Sequence, residues 1–216
     1  VEFFAQLKAE LLTRLAASRI AAPRILDFGC GVGNLARAIA ERWPTAHVVG
    51  CDTSPESIAH ARRLRGSALA APSFVDFRGD RVPFADRTFD IVCASCVFHH
   101  IERDEHAQWV RELRRVLKPG GLLVLFEHNP YNPLTRRAVR ACPFDEGVTL
   151  LAPRYAASLL DDGAFAAVET RFYFFFPAML SALRPFESWL QWCPLGAQYL
   201  VLGVRDGQSA RIGSAR

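Results

Sequence analysis

The fold is decided by one stretch, Ile25-Leu26-Asp27-Phe28 followed by Gly29-Cys30-Gly31-Val32-Gly33. Its apolar first half predicts a short strand, and its alternate glycines predict a tight turn that a ligand can approach without interference from Cβ atoms. The dinucleotide-binding fingerprint is G-x-G-x-x-G, and with Gly29 and Gly31 as its first two glycines the third would fall at Asn34. In this chain the third glycine comes one residue earlier, at Gly33. A carboxylate at the entry of the turn, Asp27, suits a cationic ligand better than a pyrophosphate. The stretch therefore predicts a strand, a ligand-binding turn and a helix.

The chain around this unit alternates between short apolar segments and amphipathic ones. Ser54 and Pro55 have the residue types of an N-cap and a first helical position. Such alternation indicates a parallel sheet covered by helices, an α/β fold. The predicted helices are 3–17, 34–42, 55–64 and 103–117, and the predicted strands are 24–28, 47–51, 73–77, 89–94 and 122–126.

The later part of the chain is less regular. A loop over 128–147 holds a short helix near 136–141, and a second helix is predicted over 153–161. An aromatic strand over 168–176 and a final strand over 198–204 are expected to pair as an antiparallel edge, with a helix over 180–192 between them. Residues 205–216 are rich in Gly, Ser and Arg and are expected to form a flexible tail.

Composition excludes several classes of protein. The chain has 216 residues, half of them apolar, and a net charge of +4, which indicates a globular protein rather than a disordered one. Of 26 basic residues 24 are arginine, but they form no basic stripe, so no nucleic-acid partner is expected. No apolar run is long enough to span a bilayer and no secretory signal opens the chain, so a cytoplasmic location with six reduced cysteines is expected.

Three acids follow the ends of predicted strands. Asp27 ends the first strand, and Asp52 follows the second, 19 residues after Gly33, where an acid can accept both hydroxyls of a ribose. Asp80 follows the third strand and is placed to accept from an exocyclic amine. Together these acids imply a nucleoside ligand that carries positive charge.

At this point five motifs in order resemble a known family. The motifs are Ile25 to Gly33, Gly50-Cys51-Asp52-Thr53-Ser54, Gly79-Asp80-Arg81-Val82-Pro83-Phe84, Thr88-Phe89-Asp90-Ile91-Val92 and Leu117-Lys118-Pro119-Gly120-Gly121. They resemble the class I S-adenosylmethionine-dependent methyltransferases, and within them the small-molecule group that includes the ubiquinone-biosynthesis methylases. The resemblance implies a Rossmann-like three-layer sandwich in a single domain over 1–204. It also implies a seven-stranded, mostly parallel sheet whose last strand is antiparallel.

The resemblance also implies a cofactor site for S-adenosyl-L-methionine, with S-adenosyl-L-homocysteine as product. Asp52 would bind the ribose hydroxyls and Thr53 would lie against the adenine. Asp80 would face the adenine amine with Arg81 beside it, although only Arg81 and Val82 separate Asp80 from Pro83, fewer residues than the family usually has. The residues implied at the methionine end are Asp27, Gly29, Gly31, Gly33, Ser95 and Cys96. Cys30 and Asn34 complete the implied cofactor-binding residues.

Methyl transfer needs an aligned nucleophile and, for a hydroxyl acceptor, benefits from a base of near-neutral pKa. His99, His100 and His128 follow predicted strands and are the candidate bases, and Tyr131 is a candidate substrate contact. The alternative for each histidine is a hydrogen-bonded loop residue without a role in proton transfer. No metal site is expected, because the pair Cys93 and Cys96 lacks a second pair.

The substrate side is expected in the later half of the chain. Only 23 residues precede the first strand, too few for a helical lid, so cover is expected from 128–150 and 177–196. The aromatic run 172–176 is either a buried strand or a wall for a hydrophobic or lipid-linked substrate, or a dimer face. The partner is thus expected to be a small molecule, and a hydrophobic one if the aromatic run forms a substrate wall. The chain is expected to be a monomer or a homodimer.

The alternatives are a non-catalytic or non-methylating S-adenosylmethionine-binding protein and, less favoured, a nucleic-acid methyltransferase. The latter typically has an Asn/Asp-Pro-Pro-Tyr motif after the fourth strand, where this chain has Ser95-Cys96-Val97-Phe98.

Overall fold

A computed structural model describes residues 2–64, 71–145, 147–176 and 178–206. The strands are β1 (Arg24–Phe28), β2 (His47–Asp52), β3 (Ser73–Asp76), β4 (Phe89–Ser95), β5 (Leu117–His128), β6 (Phe165–Tyr173) and β7 (Gln198–Arg205). The helices are α1 (Glu2–Ala16), α2 (Asn34–Arg42), α3 (Pro55–Arg63), α4 (His106–Val116), α5 (Pro133–Arg140), α6 (Pro153–Asp162) and α7 (Glu187–Leu190). Short 3₁₀ turns occupy Phe98–His100, Pro143–Asp145 and Ala178–Phe186.

The strands form one seven-stranded sheet in the order β3-β2-β1-β4-β5-β7-β6. The pairings among β1 to β5 are parallel, whereas β7 runs antiparallel to both β5 and β6. The predicted topology, with an antiparallel last strand, is confirmed. Because parallel strands end at one edge, the turn after β1 and the residues that follow β2 and β4 meet there.

Helices cover both faces of the sheet. Ile25 and Ile91 pack with α1, α2 and α3 on one face, whereas their neighbours Leu26 and Val92 pack with α4 and α6 on the other. The strands are thus buried on both sides, as their nearly continuous apolar sequences predicted. The predicted Rossmann-like three-layer sandwich is confirmed.

Local signals set two of the helix starts. The Ser54 side chain accepts a hydrogen bond from the Ser57 amide at 3.1 Å, so the predicted N-cap of α3 is confirmed. Asn132 caps α5 in the same way, accepting from the amides of Leu134 and Thr135. The cap places α5 beside the carboxyl edge of the sheet.

Several element ends differ from the sequence prediction by a few residues, and β5 begins at Leu117 rather than at 122. Three of the differences have a cause that the structure shows. The aromatic strand ends at Tyr173, because the Glu187 carboxylate accepts the amides of 174–176 at 3.1 Å and takes that backbone out of the sheet. The helix predicted over 180–192 is wrong, because Pro185 cannot donate a helical hydrogen bond and only the single turn of α7 is α-helical. Arg205 belongs to β7 rather than to a tail, and its guanidinium donates to the carbonyls of Arg114 and Leu117. The remainder of the predicted tail, beyond residue 206, lies outside the described residues.

Candidate functional site

The turn after β1 is fastened to the end of β2. Asp52 accepts the Gly31 amide through Oδ2 at 2.7 Å and the Ser54 amide through Oδ1 at 2.9 Å. Gly31 has φ +51°, and a Cβ built on it would meet no atom within 4 Å, so its backbone faces open space. The turn is therefore a rigid backbone cradle with room beside it for a ligand.

Asp27 is a buried acid with an unsatisfied oxygen. Its side chain is 1% exposed, and among the described residues its Oδ2 has no hydrogen-bond partner. Burial raises the pKa of Asp27 to about 7, although the Ala36 amide and the charge of Lys8 oppose the rise, and Asp52 adds to it. An unpartnered buried carboxylate stabilises a cationic ligand placed against it.

Lys8 belongs to the candidate site although no sequence motif pointed to it. It projects from α1, is 5% exposed, and donates from Nζ to Ser95 Oγ at 2.8 Å and to Cys96 Sγ at 3.3 Å. Lys8 thereby joins α1 to the carboxyl end of β4, and both of its acceptors are predicted cofactor residues. The signal was present in the composition, since Lys8 is one of two lysines in an arginine-rich chain and interrupts the apolar face of α1.

A cavity of about 680 Å³ opens at this edge of the sheet. At one end Asp27, Gly29, Ser95 and Cys96 line it, and elsewhere its walls are mostly apolar. Most of the other lining side chains come from three segments. They are Phe4, Ala5 and Lys8 of α1, Leu134, Thr135, Ala138, Val139, Cys142 and Asp145 of the 128–150 segment, and Phe174 and Phe175.

The source of the cavity walls differs in part from expectation. Segment 128–150 contributes as proposed, but α1 also forms part of the wall, because the 23 residues before β1 suffice for a helix that reaches the cavity. Among the described side chains of 177–196, none lines the cavity; its neighbours Ala197 and Gln198 do.

The predicted cofactor residues fall into two groups. Cys30 and Asn34 lie in the cavity with Asp27 and Gly29, whereas Thr53 and Asp80 are exposed and do not line it. Arg81 is also exposed, with its Nε 3.9 Å from Glu112 Oε2. Gly33 has φ +79°, packs against the Phe74 ring and supports the turn from behind. The candidate adenine contacts therefore lie outside the cavity that holds the methionine-end residues.

The three candidate histidines differ in environment. His99 is buried, with Nδ1 2.6 Å from Glu127 Oε2. Burial lowers the pKa of His99, but its hydrogen bond to the Glu127 carboxylate outweighs this effect and the pKa is raised. Burial and the neighbouring His99 lower the pKa of His100. Tyr131 is 52% exposed and does not line the cavity.

His128 alone of the three lines the cavity. Its Nδ1 lies 3.2 Å from Nε2 of Gln198, whose Oε1 accepts from the Tyr173 hydroxyl at 3.4 Å. Since an amide nitrogen only donates, Nδ1 accepts and the proton of the neutral ring is on Nε2. Burial, followed by the charge of Lys8, lowers the pKa of His128, so the ring is neutral at pH 7.

This sheet order, with a glycine turn and acids at the carboxyl edge, defines a Rossmann-like fold built for a nucleoside cofactor. Residues 25–121 match the family described as "Methyltransferase domain". The chain is 40% identical over 107 residues to the demethylmenaquinone methyltransferase of Thermus thermophilus, covering 50% of this chain and 48% of that protein. It is 34% identical over 168 residues to the trans-aconitate 2-methyltransferase of Mycobacterium ulcerans, covering 71% of this chain and 60% of that protein. The chain therefore spans about half to three-fifths of the length of these curated relatives.

Solved structures agree in fold. A SAM-dependent methyltransferase from Archaeoglobus fulgidus superposes with a TM-score of 0.70 at 15% identity, covering 93% of this chain and 94% of that one. An S-adenosylmethionine-dependent methyltransferase from Mesorhizobium loti gives a TM-score of 0.65 at 22% identity, covering 91% and 98%. Residues 25–121 therefore match a methyltransferase domain, and the chain as a whole shares the fold of S-adenosylmethionine-dependent methyltransferases. The residues present fit the cofactor of these proteins, because the Asp27 oxygen without a partner among the described residues and the open Gly31 cradle suit a cationic group on a nucleoside.

Proposed function

We propose that this chain transfers a methyl group from S-adenosylmethionine to a small, largely apolar acceptor in a biosynthetic pathway. The observation that carries the proposal is one continuous cavity, with cofactor-type residues at one end and apolar side chains such as Leu134, Val139 and Phe174 beyond them. Of the pathway classes open to a small-molecule methyltransferase, namely those of a polyketide, a sugar, a quinone or a lipid-linked saccharide, the apolar walls favour a polyketide or a quinone. The two groups of relatives, named for demethylmenaquinone and trans-aconitate, support small-molecule acceptors in general.

The cofactor supplies an electrophilic methyl group, which an acceptor oxygen, nitrogen or carbon takes with release of S-adenosylhomocysteine. The protein's task is mainly alignment and exclusion of water. Asp27 would hold the cationic methionine end, Asp52 the ribose hydroxyls, and the Gly31 backbone would lie against the ligand. The apolar walls from α1, α5 and Phe174 would hold the acceptor against the cofactor end.

His128 is proposed as the residue that meets the acceptor. With Nδ1 accepting from Gln198, its Nε2 donates a hydrogen bond and would orient an acceptor oxygen. Acting as a general base through Nε2 would require the Gln198 amide to turn so that its oxygen accepts from Nδ1. The two roles are separable because a glutamine at position 128 can donate a hydrogen bond but cannot act as a base.

The first test is the affinity for S-adenosylhomocysteine, measured by isothermal titration calorimetry. Asp52→Asn should weaken binding by about tenfold or more, because the ribose hydroxyls lose a charged acceptor. Asp161→Asn, an exposed acid at the end of α6, is the matched control and should bind like the wild type. Unchanged affinity in Asp52→Asn would remove Asp52 from the site, and no binding by the wild type would contradict the proposed function.

A second test separates the roles of His128. His128→Ala should lower kcat by about 100-fold while S-adenosylhomocysteine affinity holds, in the range typical for loss of a catalytic hydrogen-bonding or proton-transfer group. Radiolabelled methyl transfer to a panel of apolar hydroxyl acceptors provides the measurement. Gln198→Ala should reduce kcat in either role, because Gln198 holds Nδ1 of the ring. His128→Gln keeps a donor without a base, so a kcat above that of His128→Ala supports the donor role and a kcat equal to it supports the base role. A kcat for His128→Ala equal to that of the wild type would make His128 a structural loop residue.

A further inference from the structure

A second cluster of titratable side chains lies beside the cavity, and we call it the His-Asp cluster (His99, His100 and Asp145). The histidines stand in the 3₁₀ turn after β4, and Asp145 ends the 3₁₀ turn Pro143–Asp145. Asp145 Oδ1 is 3.5 Å from His99 Nε2 and 3.4 Å from His100 Nε2. One ligand-type atom from each residue lies within 4.8 Å of the other two.

His99 is oriented by a carboxylate behind it. Its Nδ1 is held 2.6 Å from Glu127 Oε2, and Glu127 is fixed in turn because its Oε1 accepts the Phe98 amide at 2.9 Å. With the Nδ1 proton on this hydrogen bond, Nε2 of a neutral ring presents a lone pair towards Asp145. A carboxylate behind a histidine is the usual second contact of a metal-binding imidazole.

The free end of His99 is buried and unsatisfied. The His99 side chain has no exposed surface, and its Nε2 has no hydrogen-bond partner within the part of the chain that the structure describes. A buried polar atom without a partner is unfavourable unless a ligand satisfies it. The nitrogen points into the space that Asp145 and His100 border.

The spacing suits a shared cation better than direct ion pairs. Charge-assisted N–H···O bonds are about 2.7–2.9 Å long, shorter than the 3.4 and 3.5 Å measured here. Zinc bonds of about 2.0–2.1 Å in tetrahedral geometry place ligand atoms about 3.3 Å apart. The distances from Asp145 to both histidines are close to that value.

We propose that the His-Asp cluster binds a divalent transition-metal ion, with Zn²⁺ as the reference ion. Two imidazoles and one carboxylate are a donor set typical of zinc and of non-haem iron, and three protein ligands leave a coordination position open. Asp145 also lines the cavity, so the ion would adjoin the acceptor end of the site. The sequence predicted no metal site, because that prediction considered only cysteine ligands.

The open coordination position could bind the methyl acceptor, a role that rests on the proposed function. An acceptor hydroxyl bound to a divalent ion would release its proton to water at a lower pH than a free hydroxyl. The resulting oxygen anion beside His128 would take the methyl group as its bond to the sulfonium breaks, leaving S-adenosylhomocysteine. Glu127 would be a positioning residue, acting through His99. The class of acceptor favoured by this arrangement is one with a hydroxyl or other oxygen ligand on an otherwise apolar molecule.

The test measures Zn²⁺ binding to the full chain without a polyhistidine tag, by equilibrium dialysis and elemental analysis. One ion per chain is expected. His100→Ala and Asp145→Asn should each weaken binding by about tenfold or more, and Glu127→Gln by about 10–100-fold. His60→Ala is the matched control, because His60 is exposed on α3 away from the cluster, and it should bind like the wild type. Far-UV circular dichroism checks that each variant is folded.

The six free cysteines require a second readout. Co²⁺ replaces Zn²⁺, and its absorption spectrum should show nitrogen and oxygen ligation without thiolate charge-transfer bands. Thiolate bands, binding that persists in both cluster variants, or no bound ion would overturn the proposal. S-adenosylhomocysteine affinity is measured on the same samples, so intact cofactor binding with an empty cluster overturns the metal site alone.

Discussion

Replacing Asp27 by asparagine is expected to stabilise the ligand-free protein and to weaken cofactor binding strongly. Both effects come from the same fact, that Asp27 is a buried acid with an oxygen to which no described residue donates. Asparagine has nearly the same shape but carries no charge, so it removes the cost of burying an ion. It also removes the charge that the cationic end of the cofactor would meet.

The stability effect depends on pH in a defined direction. Burial raises the pKa of Asp27 from its ordinary 3.8 to about 7, so the folded chain holds a proton that the unfolded chain releases. Between those values the folded state binds more protons, and the free energy of unfolding falls as pH rises. The full shift corresponds to roughly 4 kcal/mol. Asp27→Asn should therefore raise the free energy of unfolding by about 2–4 kcal/mol at pH 8 and by less at pH 5.

The same substitution should weaken cofactor binding, although it stabilises the ligand-free fold. S-adenosylhomocysteine should bind Asp27→Asn about 30–100-fold more weakly at pH 8, the range typical for loss of a charged hydrogen bond in a buried site. Wild-type affinity should rise with pH up to about 7, as Asp27 ionises, and the variant should lose that dependence. Urea unfolding and calorimetry at both pH values provide the measurements, with Asp161→Asn as control. A variant that is destabilised at pH 8, or that binds like the wild type, contradicts the assignment.

The second large effect is a loss of stability, and it is expected to differ between alanine substitutions at two glycines of the turn after β1. A Cβ at Gly33 would lie 2.4 Å from the Phe74 ring, and the residue has φ +79°. Gly33→Ala combines left-handed backbone strain with overpacking, so it should lower the free energy of unfolding by about 3–5 kcal/mol. Gly31 has a similar backbone conformation at φ +51° but faces open space. Gly31→Ala should lower it by only about 1–2 kcal/mol.

For cofactor affinity the order is reversed: the folded Gly31→Ala variant should lose more affinity than the folded Gly33→Ala variant. Gly31→Ala puts a methyl group on the open side of the cradle, so S-adenosylhomocysteine affinity should fall although the chain stays folded. Urea denaturation at pH 7 and calorimetry on the folded fraction separate the two effects. Equal loss of stability in both variants would show that the Phe74 contact is not what restricts position 33.

Much of the fold followed from local patterns in the sequence. The glycine turn, the apolar strands and the N-cap at Ser54 are short-range features, so β1, α2 and α3 were predicted within a few residues. The aromatic strand was misplaced because its end is set by Glu187, which captures the amides of 174–176 from outside the strand. No local pattern encodes a contact of that kind.

For the site, the sequence alone determined which acids and glycines follow the strands, because the carboxyl ends of parallel strands meet at one edge. Only the tertiary structure decided what surrounds them. Lys8 reaches Ser95 across 87 positions of sequence, and Asp145 meets His99 and His100 from a separate turn. Burial, which gives Asp27 its raised pKa and leaves His99 Nε2 unsatisfied, depends on how the layers pack and not on the residues beside these two in the chain.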